Sequence, residues 1–337
     1  MVNKITIEEA IKLNQEEIIF IDTRSPKEFE EDNIPGSINI PIFSNEERKI
    51  IGTLYKNNQI EAYKEGFAVY NKKISTFLDQ FEKFDKSKQI IVYCWRGGMR
   101  SKTIADLVET RGFQTLQLEG GYKKFRELIR ENLKEYKPPF ELIVIQGMAG
   151  SGKTDLIKQL EPSIDLEGLA QHRSSLFGAL GLKPTSQKMF ESRLWYKLQE
   201  LKNEKTVFIE GEAKKVGDVF VPTKLFEAME KAKTILIETS IEKRVQIIIR
   251  DYFSHEEDEK IKKIINKLKE HLSGKVADEL CEFVDKKEYE PVAKTLLVDY
   301  YDKQYGHALE EMKYYKNING DNQNKAIEEL NKIKEEI

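Results

Sequence analysis

Lys137-Pro138-Pro139-Phe140-Glu141-Leu142-Ile143-Val144-Ile145-Gln146-Gly147-Met148-Ala149-Gly150-Ser151-Gly152-Lys153-Thr154-Asp155-Leu156-Ile157-Lys158-Gln159-Leu160 is the stretch on which the organisation of the chain turns. Its two prolines disfavour helix at Lys137 and cannot continue one. The apolar run 141–146 reads as a buried strand, and the segment from Asp155 to Leu160 as the start of a helix. Between them, residues 147–154 fit the pattern G-x-x-x-x-G-K-[ST] in the strand–loop–helix setting that it needs. Backbone N–H groups of such a loop wrap a phosphate. Lys153 neutralises non-bridging oxygens, and Thr154 is placed to ligate Mg2+. Gly147, Gly150, Ser151, Gly152, Lys153 and Thr154 are therefore the expected phosphate site.

Upstream of the prolines, 122–136 reads as an amphipathic helix, so a domain break falls near 137–140. The 337 residues exceed the ~100–200 of one typical domain, and the expected domains are 1–137 and 138–337. Lys and Arg number 55 against 58 Asp and Glu, a net charge of −3. The first domain holds 23 basic and 22 acidic residues, which leaves 32 and 36 for the second. Bulk charge therefore excludes a polybasic nucleic-acid arm, though not a local basic patch. No apolar run approaches the ~20 residues of a membrane helix, and acids stand where a signal peptide would be apolar. Two cysteines make no disulfide framework. The expectation is a soluble, cytoplasmic protein without a membrane partner.

Strand-like runs at 18–21, 90–93 and 115–118 alternate with helical patterns at 101–110 and 122–136, which implies βαβ units and a parallel sheet. The second domain repeats this, with strands expected at 141–146, 206–210, 234–238 and 295–299. Residues 241–290 read as strongly helical. The last ~20 residues read as a solvated helix with a frayed end. The expected fold is α/β throughout: a parallel-sheet domain, then a phosphate-loop α/β domain with a helical C-terminal extension.

The run Ile90-Ile91-Val92-Tyr93-Cys94-Trp95-Arg96-Gly97-Gly98-Met99-Arg100-Ser101 carries the second chemical signal. A strand ends at a cysteine, a glycine loop follows, and a helix starts near Ser101, a plausible N-cap. That geometry sets the sulfur in a nest of N–H groups that favours anions. Arg96 and Arg100 add positive charge, and Gly97 and Gly98 let the backbone turn inward. The Cys-x5-Arg spacing also suits a cysteine phosphatase. Cys281, among apolar neighbours at helical spacing, reads as core.

Further candidates are less sharply defined. Glu210 ends the strand 206–210 and Glu212 lies two residues on, so either is a candidate for a Mg2+ site with Thr154. His172-Arg173 and Lys214-Lys215, with the loop glycines Gly97 and Gly98, are candidates for substrate or RNA contact. Lys123, Lys124, Arg126 and Arg130 decorate one helix, and Lys260, Lys262, Lys263, Lys267 and Lys269 another.

Asp22-Thr23-Arg24-Ser25-Pro26-Lys27-Glu28-Phe29, Ile34-Pro35-Gly36-Ser37-Ile38-Asn39-Ile40-Pro41 and Leu118-Glu119-Gly120-Gly121-Tyr122 resemble the signature of rhodanese domains. The loop cysteine of that family carries a persulfide, and the resemblance implies this role for Cys94. It also implies a buried Asp22–Arg24 pair that orders the loop. A rhodanese-like domain followed by a P-loop domain containing Asp165-Leu166-Glu167-Gly168-Leu169-Ala170-Gln171-His172-Arg173 is similar to the tRNA 2-selenouridine synthases. Ala213 stands where that family usually has Ser. The resemblance implies replacement of the sulfur of wobble 2-thiouridine in the tRNA anticodon stem-loop by selenium. The donor would be selenophosphate, and an S-geranylated intermediate would form from geranyl diphosphate. Cys94 would carry selenium beside Arg96 and Arg100, residues 147–154 would hold a phosphate or diphosphate, and a selenophosphate supply enzyme would be a partner. The alternative is a P-loop kinase or NTPase with a rhodanese-like regulatory or binding module.

Overall fold

The computed structural model describes residues 2–255 and 257–337; Met1, and Glu256 within the expected helical stretch 241–290, lie outside the described residues. The chain divides into two compact units, Met1–Asn132 with Glu191–Arg193, and Leu133–Phe190 with Leu194–Ile337.

The first unit is built on a five-stranded sheet of β1 (Asn3–Ile5), β2 (Ile18–Asp22), β3 (Ile38–Asn39), β4 (Gln89–Tyr93) and β5 (Thr115–Leu118), in the order β1-β5-β4-β2-β3. Every pairing is parallel, so each strand needs a crossover, and helices cover the sheet. Ile21, Ile90 and Val92 pack against Phe77, Phe81, Ile104 and Val108 in one core. The central strand β4 ends immediately before Cys94. The helix that follows begins at Met99, with Gly98 and not Ser101 as its N-cap. Ser101 is instead drawn into the first turn and fully buried, where its hydroxyl donates to the Gly98 carbonyl at 3.1 Å.

A buried ion pair locks this sheet edge. Arg24 and Asp22 are both excluded from solvent. The Arg24 guanidinium donates to both carboxylate oxygens of Asp22, the shortest contact being 2.6 Å, and to the Asp32 carbonyl at 2.7 Å. It also lies 3.7 Å from the centre of the Tyr122 ring, whose hydroxyl donates to Asp32. Asn39 donates to the carbonyls of Asp22 and Arg24, and the Tyr93 hydroxyl meets the Ile34 N–H and Ser37.

The second unit holds β6 (Glu141–Gly147), β7 (Ser163–Ile164), β8 (Thr206–Glu210), β9 (Lys215–Val216), β10 (Val219–Phe220), β11 (Lys233–Glu238) and β12 (Lys316–Asn319). Five of these form a parallel sheet in the order β12-β11-β6-β8-β7, and β9 and β10 pair as an antiparallel hairpin. The phosphate-type loop leaves the central strand β6. A helical region from Ile241 onward has its own core, which includes Val245, Ile261, Ile265, Leu280 and Tyr301.

Two expectations are corrected. Residues 295–299 form no strand; Leu296–Tyr301 is a π-helical turn in which Leu296, Leu297, Tyr300 and Tyr301 are buried. A short apolar run cannot be told from a buried helix by its periodicity. Nor are the last ~20 residues solvated and frayed. β12 pairs with β11, and the helix Gln323–Glu336 buries Ala326, Leu330 and Ile333 against the sheet core.

Removing one partner of a buried ion pair leaves an uncompensated charge, at a cost of about 3–5 kcal/mol. Arg24→Met should therefore shift the urea transition of the first unit by that amount. Adding Asp22→Asn to it should recover part of the loss; equal losses in the single and double variants would contradict the coupling.

Candidate functional site

The cysteine cradle is assembled from β4, the loop that follows it and the end of β5. Cys94 is 3% exposed. Its sulfur accepts from the Gly98 N–H at 3.3 Å and lies 3.3 Å from the Ser101 hydroxyl. Gln117 on β5 donates to the Gly97 and Gly98 carbonyls and to Ser101. This amide fixes the loop whose Gly98 N–H faces the sulfur. The loop closes against Gly120 and Gly121: the Tyr122 N–H donates to the Cys94 carbonyl and the Lys123 N–H to that of Trp95. Gly97 has φ +63°, and a Cβ there would lie 2.5 Å from the Leu118 carbonyl oxygen. Only glycine fits both the backbone angle and the space.

The two arginines of the loop differ. Arg96 is exposed. Arg100 points to Glu28, 3.4 Å away, which Arg48 also approaches at 3.5 Å. Burial pushes the Glu28 carboxyl up, but Arg100, the Ser25 N–H and Arg48 outweigh it and hold the group below its usual range. The expected pair around the sulfur is thus one solvent-facing cation and one tied to the rhodanese-type Asp-x-Arg-x-x-x-Glu stretch.

In the second unit Gly150 and Gly152 take φ +74° and +82°, the conformation that glycine supplies in a loop wrapping an anion. The Lys153 ammonium donates to the Gly147 carbonyl at 2.9 Å. Ser151 is buried, and its carbonyl accepts from Thr239. Arg244 donates to the Ala149 carbonyl and forms a two-pronged pair with Asp302, which braces the loop from the helical region.

Beside this loop three carboxyls converge. Glu167, Glu210 and Glu212 each offer an oxygen within 4.8 Å of the others. The Thr154 hydroxyl lies 2.7 Å from Glu210 and 3.2 Å from Glu167, and the Glu167 N–H donates to Glu210. Burial, then the charges of Glu212 and Asp165, push Glu210 up to about 8. Burial also raises Glu167 and Glu212, Glu167 the more strongly. Several hard oxygen donors and a hydroxyl in one pocket fit Mg2+, and a divalent cation would compensate the negative charge that burial disfavours. Glu210 thus sits where its place at the strand end suggested. Glu167 belongs to the site through tertiary approach, which spacing could not reveal.

The remaining candidates are scattered. His172 is packed between Gly178 and Gly217, at which an added Cβ would meet its ring, and burial lowers its imidazole below the usual value, which favours the neutral form. Arg173 donates to the Leu180 carbonyl and faces the Tyr252 ring. Lys214 and Lys215 are exposed at the β9–β10 hairpin, and Lys215 pairs with Asp218. Lys123 and Lys124 share Glu127, and Lys262 meets Glu259 and Asp285. Cys281 is partly buried against the helical core. Among the described residues, no helix is long and apolar enough to cross a membrane.

A parallel-sheet unit with a cysteine cradle at its central strand, joined to a P-loop unit, defines a rhodanese–P-loop fusion protein. Residues 6–128 match the Rhodanese-like domain family, and residues 140–280 match the tRNA 2-selenouridine synthase AAA domain. The tRNA 2-selenouridine synthase of Sulfurovum sp. (strain NBC37-1) is 32% identical over 325 residues, 86% of this chain and 88% of that protein. The protein of the same name from Shewanella pealeana (strain ATCC 700345 / ANG-SQ1) is 28% identical over 91% of this chain and 93% of its own. Among solved structures, the N-terminal domain of a Clostridium difficile 630 protein is 40% identical and covers 38% of this chain and 98% of that domain, with a TM-score of 0.36. The chain belongs to the tRNA 2-selenouridine synthase family.

The carboxyl cluster has a measurable signature. A carboxyl whose folded pKa is raised binds more protons in the folded state. It adds stability that is full below the unfolded value and is lost as pH rises through about 8. Without divalent cations, Tm should fall between pH 6 and pH 9, and millimolar Mg2+ should restore it. Glu210→Gln should raise the cation-free Tm at pH 9, by about 2–4 °C per kcal/mol relieved, and abolish the response to Mg2+. An unchanged Mg2+ response would remove Glu210 from the site.

Proposed function

We propose that the protein replaces the sulfur of wobble 2-thiouridine in tRNA with selenium from selenophosphate, through an S-geranylated intermediate made from geranyl diphosphate. The observation that carries this reading is the presence, in one chain of this family, of an anion cradle with a thiol at its floor and a phosphate-type loop beside clustered carboxyls. Each supplies what one half of the reaction needs.

A thiocarbonyl sulfur is a poor leaving group. In the first half its lone pair attacks the allylic carbon of geranyl diphosphate, the C–O bond breaks, and diphosphate departs. The loop 147–154 is suited to hold that diphosphate, with Lys153 on its oxygens and Thr154, Glu210, Glu167 and Glu212 as the holders of Mg2+. Bound there, Mg2+ would offset the charge on the departing diphosphate.

In the second half, the selenium of selenophosphate attacks C2 of the base, and geranyl thiol leaves with the C–S pair and a proton from solvent. Water then cleaves the Se–P bond to release phosphate. The cradle is suited to the anionic donor: the Gly98 N–H, Arg96 and Arg100 supply positive potential, and Cys94 is the selenium carrier. Selenium bound to the Cys94 thiol as a perselenide stands two electrons above the selenide of selenophosphate. Loading it there needs a two-electron oxidant such as a disulfide. Freeing the base from the resulting Cys94–S–Se–C2 adduct needs a thiol reductant that returns the two electrons. Direct attack of selenophosphate on the base needs neither. The selenophosphate supply enzyme and the tRNA are the corresponding partners.

Mass spectrometry of wobble nucleosides from a deletion strain complemented with variants tests both halves. Lys153→Ala should remove geranylated and selenated uridine together. Cys94→Ser should retain the geranylated nucleoside and lose selenouridine. Full selenouridine with Cys94→Ser would overturn the carrier role and leave direct attack; ATP turnover by a protein that forms no modified nucleoside would favour a kinase or NTPase.

A further inference from the structure

Part of the apolar surface beside the reactive cysteine stays in water. Trp95 follows the buried Cys94 directly, yet it is 37% exposed, and Met99, the first residue of the helix that follows, is 50% exposed. By contrast the chain's second tryptophan, Trp195, is only 4% exposed. Leaving a large aromatic in water forgoes burial that stabilises by roughly 25 cal/mol per Å2, so the sequence keeps this indole available at a cost.

The indole is also held in place. Its ring lies 5.3 Å from the Tyr122 ring at an interplanar angle of 36°. Tyr122 is in turn fixed by the Arg24 guanidinium against its ring and by Asp32 on its hydroxyl. The Trp95 carbonyl accepts from the Lys123 N–H, which pins the backbone. The result is a rigid aromatic platform, open to solvent on part of its surface, one residue from the reactive sulfur and one from the exposed cation Arg96.

We propose that Trp95 is a positioning residue that stacks an unpaired pyrimidine base of a single-stranded RNA loop and so sets the base edge over Cys94. The inference rests on the reading that the substrate is a tRNA anticodon. Stacking on aromatic side chains is how proteins hold splayed-out bases, and it asks for little net charge. Arg96 supplies a phosphate contact next to the stacked base.

The test uses the full-length protein and a synthetic anticodon stem-loop with 2-thiouridine at the wobble position. RNA should quench tryptophan emission in the wild type, and Trp95→Phe should lose the quenching because Trp195 is buried. Kd should rise about 5- to 150-fold in Trp95→Leu, the equivalent of ~1–3 kcal/mol per stacked base. Trp95→Phe, which keeps an aromatic face, should recover most of the affinity; Leu retains apolar bulk, so a packing role alone would leave both variants alike. Wild-type Kd and quenching that persist in Trp95→Leu would overturn the stacking role while RNA binding still stands. Equal quenching by geranyl diphosphate alone would assign the platform to the prenyl chain and overturn it too. A wild type that does not bind the RNA would overturn the tRNA reading, and this inference with it.

Discussion

Both candidate sites depend on one constraint: a buried parallel strand must end, and the backbone N–H groups beyond it have no sheet partner. β4 and β6 are the strands with neighbours on both sides from which the loops at Cys94 and Gly147 emerge. Buried N–H groups need acceptors. In the first unit a sulfur takes the N–H of Gly98. In the second, the glycine conformations at 150 and 152 turn the loop around a space that suits an anion. The same edge therefore generates two electron-poor cradles, which differ in what lies beside them.

The difference is one of charge compensation. In the first unit Arg24 covers the buried Asp22, and Arg100 and Arg48 approach the half-buried Glu28. Such pairs shape the loop and ask for nothing further. In the second unit Glu167, Glu210 and Glu212 face one another, with Lys153 engaged on the Gly147 carbonyl. Burial raises all three carboxyls, and the charges of neighbouring carboxylates add to it at Glu167 and Glu210.

This contrast also explains what the sequence discloses. The two loops are contiguous, so Cys94, Arg96 and the 147–154 segment are legible in order and spacing. The parallel strands β2, β4, β5, β6, β8 and β11 are legible as short apolar runs, whereas β1, β3 and β7, of two or three residues each, are too short to form one. Gln117, Ser101 and Glu167 act through approach across 16, 7 and 13 residues of chain, and no periodicity encodes that; a polar residue within β5 was the nearest signal for Gln117. Asp22, Arg24, Ser37 and Asn39 stand out as motif residues, but their hydrogen bonds are made to one another's segments. A recognisable pattern can therefore record how a loop is held as much as what reacts there. The strand β12 was invisible because two of its four residues are asparagine and only Ile318 is buried; the edge of the sheet supplies its pairing.

A near-neutral protein that works on tRNA faces a further requirement. Lysines already paired with acids, such as Lys123, Lys124 and Lys262, gain little by exchanging those partners for phosphate, and their contribution to counterion release is small. Affinity must then come from contacts that are indifferent to net charge. A base can leave the stack of a single-stranded loop, and aromatic faces, backbone cradles and a few solvent-facing cations can receive it. The loop from Cys94 to Arg100 offers all three within seven residues: the exposed indole of Trp95, the N–H of Gly98 and the free-standing side chain of Arg96. On a surface of balanced charge, a loop of this kind could contribute specificity for an unpaired base without a large basic face.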